Sequence, residues 1–464
     1  MVGRKDDMNG LIEQYNSASN SLLVLYGRSG IGKTTLINEF IRDKKAYYYC
    51  LKDCNEREQQ YILRDEWNKN YGVEPEGNEF LTIFESAVNK TFSDTLESEE
   101  ENAKTVLILD EIYLAFKQGQ DLLNAIKKLW ADNKDNNNLM ILLATSSVQW
   151  VENGMVKLLG EFASEITGLI KLKPFGFLEV VNRFPSISSK DAVYVYGILG
   201  GVPGYMDMWS AGKSVRNNVI DLFLDKNALL YKEPERFLKT ELRELAFYNT
   251  ILYNLACGRN KLNELHERTG FSRAKISVYI RNLIELDIVE KVFSYDAKYK
   301  DNTKKGVYAI KDPMMHFWYR FIFPNMSELE KGNKEMVYDK LIKPELDEYM
   351  HKYFVRMCKE YMGLMSRYNK LPFNIEICES WYGKDCTIDI ISKDEESGTV
   401  MAGMCKWSNS VFGEKDLEEL IFNLDKAGEE ANCYYLFSRA GFSEYLIDRE
   451  KVIDSIVLTS LDTM

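Results

Sequence analysis

Over its first 170 residues the chain alternates between two hydrophobic rhythms. SLLVLYG (21–27), KAYYYCL (45–51), KTVLILD (104–110) and NLMILLATS (138–146) are short, continuous apolar runs, and the stretches between them repeat apolar residues at helical spacing. Strands that are apolar on both faces and separated by helices predict a parallel, doubly wound sheet with both faces covered. From about 175 to 255 the rhythm is helical throughout, and from 241 to 312 three short helices precede a β-hairpin. From about 345 a mixed α/β pattern returns, opening with a helix and ending in strands. Two polar interruptions, SDTLESEEENAK (93–104) and ADNKDNNN (131–138), read as a solvated loop and a turn. The expected organisation is a core over 1–170, a helical segment over 171–240, a helix–turn–helix with a wing over 241–312, a linker over 313–345 and an α/β domain over 346–464.

Composition narrows the class. With 464 residues, 45% of them hydrophobic, 28% charged and only 9 prolines, the chain can bury several cores of ordinary domain size. A net charge of -12 argues against a protein coated in nucleic acid, while leaving room for a local basic patch. The 8 cysteines contain no CxxC spacing and there are 3 histidines, so neither a zinc site nor a disulfide scaffold is expected. The first residues, MVGRKDDMNG, hold no apolar segment, and LMILLA (139–144) is too short to cross a bilayer. The expectation is a cytoplasmic protein without a membrane partner.

The sharpest chemical signal is GRSGIGKT (27–34), which fits G-x-x-x-x-G-K-[ST] between the strand SLLVLY and the helical TLINEFIRD. Gly27, Gly30 and Gly32 let the backbone curl so that the amides of Arg28, Ser29 and Ile31 converge on phosphate oxygens. The following helix adds its positive N-terminal end. Lys33 reaches the β- and γ-phosphates of ATP and the Thr34 hydroxyl ligates Mg²⁺, while Thr35 reads more as a helix residue than as a second ligand.

VLILDE (106–111) supplies the complement. A buried strand ending in two carboxylates suits a cation: Asp110 would hold Mg²⁺ and Glu111 would orient or deprotonate the attacking water, which makes Glu111 and Lys33 the catalytic candidates. Thr145 or Ser146, at the end of NLMILLATSS, could sense the γ-phosphate or merely close a strand. GGVPGY (200–205) could bring Pro203 against an adenine face, or be an interhelical turn. No arginine occurs between Glu111 and Arg183. An arginine finger is worth roughly 10³-fold or more in rate, so its absence in cis suits a switch better than a motor.

VGRKDDMNGLIEQY (2–15), GRSGIGKTTLINEF (27–40), VLILDEI (106–112), IKLKPFGFLEVV (170–181) and LGGVPGYM (199–206) together resemble the archaeal-type ATPase family, of the signal-transduction branch of AAA-like P-loop ATPases. MMHFWYRFIFP (314–324) resembles the C-terminal region of unknown function often fused to it. The resemblance implies an α/β P-loop NTPase parallel sheet, a helical lid, a winged helix–turn–helix and a restriction-endonuclease-like α/β domain. It also implies that Arg4 lies near the nucleotide. Where the family carries an arginine or two before IKLKPF, this chain reads SEITGL (164–169), in keeping with slow hydrolysis.

LNELHERTGFSRAKISVYIRNLIELDIVEKV (262–292) has the helix–turn–helix layout, with Gly270 in the turn, Ser272 as N-cap and Ile276, Tyr279, Ile280, Leu283 and Ile284 as the buried stripe. Arg273, Lys275 and Arg281 are the candidate contacts to duplex DNA, and Lys298, Lys300, Lys304 and Lys305 fall near the wing tip. Residues 258–311 hold 12 Lys or Arg against 7 Asp or Glu, a local reversal of charge that phosphate contact requires. A structural or protein-contact module reads equally well.

The last question is Lys406 in TVMAGMCKWSNS (399–410), a lysine inside an apolar strand. TIDII and TVMAGMCKW read as two strands, and Asp389 with Lys406 resemble the first acid and the lysine of a PD-(D/E)XK nuclease. The second acid is missing. Its position is Met404, whose thioether cannot replace a hard oxygen ligand for Mg²⁺, and a Phe-Glu expected in the preceding helix is Phe354–Val355. Lys406 therefore reads as a relic that packs its stem or contacts a partner, unless Glu376, Glu379, Glu414, Glu418 or Glu419 swings in. The sequence thus points to an ATP-dependent switch acting on a protein partner or a homo-oligomer. A metal-dependent DNA nuclease and a DNA-binding regulator are the alternatives.

Overall fold

A computed structural model of the chain describes residues 3–71, 80–93, 104–297, 306–375 and 378–464. Most of the acidic stretch, 94–103, lies outside the described residues, as do Glu376 and the wing-tip Lys298, Lys300, Lys304 and Lys305. The chain forms two compact units, Met1–Pro174 and Phe175–Met464.

The first unit is built on five parallel strands: β1 (Ser21–Tyr26), β2 (Ala46–Cys50), β3 (Thr105–Asp110), β4 (Leu139–Thr145) and β5 (Gly168–Lys171), in the spatial order β2-β3-β4-β1-β5. β1, β3 and β4 are buried along their whole length, as their unbroken apolar runs require. Helices α1 (Lys5–Tyr15) and α2 (Lys33–Phe40) lie before and after β1 in the chain. Because β4 sits between β1 and β3, the C-terminal ends of three adjacent strands deliver residues 27, 110 and 145 to one edge, where ligands of open α/β sheets bind. At the other end of β3 the buried ammonium of Lys104 donates to the carbonyls of Gln14 (3.0 Å) and Ser19 (2.5 Å) and to the hydroxyls of Ser17 (2.8 Å) and Ser21 (3.2 Å). Burial lowers its pKa to about 8.

The second unit opens with α3 (Phe177–Arg183) and α4 (Ser189–Leu199), the latter buried continuously from Ala192 to Leu199. Helices α5 (Leu245–Ala256), α6 (Leu262–Thr269) and α7 (Arg273–Glu285) then precede an antiparallel pair, β6 (Val289–Val292) and β7 (Val307–Ile310). Gly270 ends α6 in the left-handed region (φ 72°), and the Ser272 hydroxyl accepts from the Lys275 amide to cap α7. The buried stripe of α7 is Ile276, Tyr279, Ile280 and Leu283, but Ile284 is 37% exposed. Leu286 and Ile288, just past the helix, fill the core in its place.

The long helix α8 (Leu346–Arg367) introduces a second sheet of β8 (Glu379–Tyr382), β9 (Thr387–Lys393), β10 (Val400–Lys406), β11 (Cys433–Ser438) and β12 (Ile456–Ser460), ordered β12-β11-β10-β9-β8. One face carries Leu417, Leu420 and Leu424 of α9 (Glu414–Ala427) and Leu446 of α10 (Glu444–Glu450), packed on Ile388, Ile391, Val400, Ala402 and Leu436. Phe354 of α8 packs tilted against Trp407, just past β10, and Tyr361 lies edge-on to Phe437 of β11, both on the other face.

The Gly-Gly turn explains itself here. The Phe175 amide donates to the Gly201 carbonyl (2.7 Å), and a Cβ at Gly201 would sit 1.9 Å from the Phe175 carbonyl oxygen. Two backbone segments meet with no room for a side chain. Gly201→Ala should therefore cost about 3 kcal/mol of stability, read as a fall in thermal midpoint; an unchanged midpoint would contradict the close approach. Pro203 opens a single helical turn, Pro203–Met206.

Candidate functional site

The loop after β1 turns on glycine geometry. Gly32 is left-handed (φ 99°) as the cap of α2, and a Cβ at Gly27 would lie 2.9 Å from the carbonyl of Leu172. The Ile31 side chain is buried and anchors the loop, Arg28 is buried, and Ser29, Gly30, Thr34 and Thr35 are exposed on the outward side. Arg4 reaches the loop from α1's N-terminus. Its guanidinium donates to the carbonyls of Ile31 and Lys173 (both 2.8 Å) and pairs with Asp7 (3.3 Å). The residue expected beside the nucleotide thus also braces the loop backbone.

Lys33 is buried at 6% exposure, its ammonium donating to the Gly27 carbonyl and to the Ser146 hydroxyl (both 2.8 Å). Ser146 holds Glu111 in turn, its amide donating to one carboxylate oxygen (3.0 Å) and its hydroxyl bonding the other. Of the two strand-end hydroxyls, Ser146 therefore joins the cluster. Thr145 is buried and its hydroxyl accepts from the Ser147 amide (3.2 Å). Glu111 itself is left-handed (φ 53°), a conformation that costs a β-carbon-bearing residue about 1 kcal/mol and aims its side chain off the strand line.

Asp110 is 3% exposed. Its Oδ2 accepts from the Thr34 hydroxyl (3.3 Å) and from the Tyr48 phenol (2.8 Å), and its Oδ1 accepts from the Glu111 amide (2.9 Å). A hydroxyl and a carboxylate, both hard oxygens, converge beside a helix N-terminus and a buried lysine. That donor set fits a Mg²⁺-nucleotide. Tyr48 was not legible as a site residue, since AYYYC reads only as strand. Burial, then Asp110, pushes its phenol well above the usual tyrosine range.

The C-terminal candidates are not brought together. Lys406 projects to the α9 face, where its ammonium meets both oxygens of Asp416 (2.8 and 2.7 Å) and the Val411 carbonyl (3.1 Å). Asp416 also accepts from the Gly413 amide (2.7 Å), so one carboxylate both caps α9 and pairs the lysine. Asp389 turns to the α8 face, accepting from the Cys405 amide (2.9 Å) with His351 Nε2 at 3.6 Å. Burial pulls the His351 pKa down, but Asp389 more than offsets it and leaves it raised. Lys406 therefore pairs with Asp416 rather than with Asp389. Among the described residues no group of three or more His, Cys, Asp or Glu side chains is arranged to hold a metal. Trp407 lies edge-on to Tyr194 and under the Arg439 guanidinium (4.6 Å), and Arg439 and Tyr194 both bond Asp347. Burial raises the Asp347 pKa, and those two bonds more than reverse it.

In the helical trio, Lys275 lies over the Phe247 ring at 3.3 Å and Arg273 donates to Asn263 (2.8 Å), while Arg281 is exposed near Val278, itself 49% exposed. The basic row expected to face a phosphate backbone is thus partly engaged within its own fold.

Residues 1–208 match the family described as an ATPase domain predominantly from Archaea, and residues 318–420 match a family of archaeal and bacterial proteins of unknown function. An uncharacterised protein of Methanocaldococcus jannaschii is 26% identical over 433 residues, covering 91% of this chain and 90% of its own length. An uncharacterised ATP-binding protein of the same organism is 41% identical over 44 residues, 10% of this chain and 75% of that protein. Among solved structures, a Walker-type ATPase of Pyrococcus abyssi is similar with a TM-score of 0.49 at 16% identity, over 69% of this chain and 96% of that one. No described helix is long and apolar enough to cross a membrane.

Proposed function

We propose, on the premise that residues 1–208 form an archaeal-type ATPase domain, that the chain binds ATP, hydrolyses it slowly and works as a switch. Its nucleotide state would govern how a winged helix, formed by α5 to β7, and the C-terminal domain meet a partner. One observation carries the reading: Lys33 and Thr34 of α2, Asp110 at the end of β3, and Glu111 and Ser146 just past β3 and β4 form two adjoining hydrogen-bonded groups at one sheet edge. In this reading the amides of the 28–33 loop and Lys33 take the phosphates, with Thr35 on the first turn behind them, and Thr34 and Asp110 hold Mg²⁺. When bound, that ion supplies charge neutralisation at the phosphates. Glu111 orients or deprotonates water, Ser146 stands beside it as the γ-phosphate contact, and Pro203 would take the adenine face. Slow turnover follows from the arginine-free span between Glu111 and Arg183. A neighbouring subunit or a partner would have to supply that cation.

The partner is better sought among proteins than duplex DNA, because Lys275 and Arg273 already have internal contacts. ATP turnover measured with and without duplex DNA, at low and moderate salt, tests this. The expected result is a slow rate indifferent to DNA, together with amide exchange in Phe175–Met464 that changes when ATP is added. Strong stimulation by DNA that fades with salt would instead make α7 a DNA-contacting helix. Exchange unaltered by ATP would sink the switch.

A further inference from the structure

We propose that Tyr48 is a positioning residue for the metal half of the nucleotide site, a role that rests on the ATP reading above. Strand alternation separates the three tyrosines of β2. Tyr47 turns to one face, where it lies edge-on to Trp67 at 5.3 Å, and Tyr49, bonded to Gln59, is fully buried. Tyr48, between them, reaches across to the neighbouring strand and donates to Asp110 Oδ2 at 2.8 Å. The same oxygen also takes the Thr34 hydroxyl at 3.3 Å. One phenol therefore holds the carboxylate oxygen at which the two donors assigned to the cation meet.

The chemistry of that choice is specific. A buried carboxylate that is to hold a cation must be kept in one rotamer without being neutralised. A lysine or arginine at this point would pin Asp110 but compete with the cation for its charge. A phenol that stays protonated pins it and leaves the charge intact. With Oδ1 fixed by the Glu111 amide, the Tyr48 bond fixes the other end of the carboxylate. Removing the hydroxyl frees that end to rotate away from Thr34.

The test uses Tyr48→Phe in the full chain and a fluorescent ATP analogue, with affinity measured first in EDTA and then across a Mg²⁺ titration. Both proteins should bind the analogue equally in EDTA. The Mg²⁺ concentration giving half of the metal-dependent tightening should rise about tenfold in the variant, the size of one hydrogen bond to a charged group. An identical Mg²⁺ requirement would overturn the role of Tyr48 alone. Weaker binding of the variant already in EDTA would assign Tyr48 to the fold of the site and overturn the proposal. A wild-type chain that binds no analogue under either condition would remove the ATP reading itself, and the proposal with it.

Discussion

Lys33→Ala should weaken ATP binding by roughly 10²-fold or more, while the thermal midpoint of the nucleotide-free chain moves little. The size follows from the loss of charge-assisted bonds to phosphate, about 3 kcal/mol. The small effect on the fold is expected because the bonds lost to the Gly27 carbonyl and the Ser146 hydroxyl are bonds to neutral groups. Isothermal titration with ATP and Mg²⁺ reads the first quantity and differential scanning fluorimetry the second. Unaltered affinity would remove Lys33 from the phosphate site. A collapsed midpoint would make it a structural lysine like Lys104.

The second large effect concerns Glu111. Glu111→Gln should leave ATP affinity near wild type and lower turnover by roughly 10²–10⁴-fold, the contribution of a positioned general base. The substitution preserves shape and an acceptor oxygen for the Ser146 amide, so the strand end should hold. It removes the basicity that a water molecule would use. Single-turnover measurements separate the two steps. Equal loss of binding and turnover would mean that Glu111 organises the loop, and unchanged turnover would move the base elsewhere. Because the wild-type rate is itself expected to be slow, the assay must resolve the residual rate of the variant.

How much of this could be read from the sequence depends on distance along the chain. The loop 27–34 was legible because its chemistry is local: glycines, a lysine and a hydroxyl at fixed spacing, flanked by one strand and one helix. Asp110 and Glu111 were legible because a buried strand ending in paired carboxylates has few structural uses. Tyr48 was not, since its partner lies 62 positions away and a run of three tyrosines gives no hint of which ring faces the site. The bracing bond from Arg4 to Lys173 spans 169 positions and was equally out of reach. Asp416 was missed for a subtler reason. Glu414, Glu418 and Glu419 stand out in the sequence as acids at helical spacing, but which acid faces β10 depends on where the helix begins, and capping by Asp416 fixes that point. Lys275 misled in the opposite direction. It lies beside Arg273 and Arg281, which are two helical turns apart on the outward face, and only the packed structure shows Phe247 beneath its ammonium.

The ion pair of Lys406 with Asp416 has a consequence for anyone who would redesign the C-terminal domain. Met404 shares a strand face with Lys406 and packs against the apolar cluster of Ile391, Leu420 and Leu436. Replacing it by glutamate to complete the missing motif would push a charge into that cluster. The new acid would share its face with Lys406 and Asp416, while Asp389 stays across the sheet with His351. A one-letter repair would assemble no nuclease. The lysine of the apparent motif is already committed as a rivet, and regaining a metal centre would require rebuilding both faces of β10.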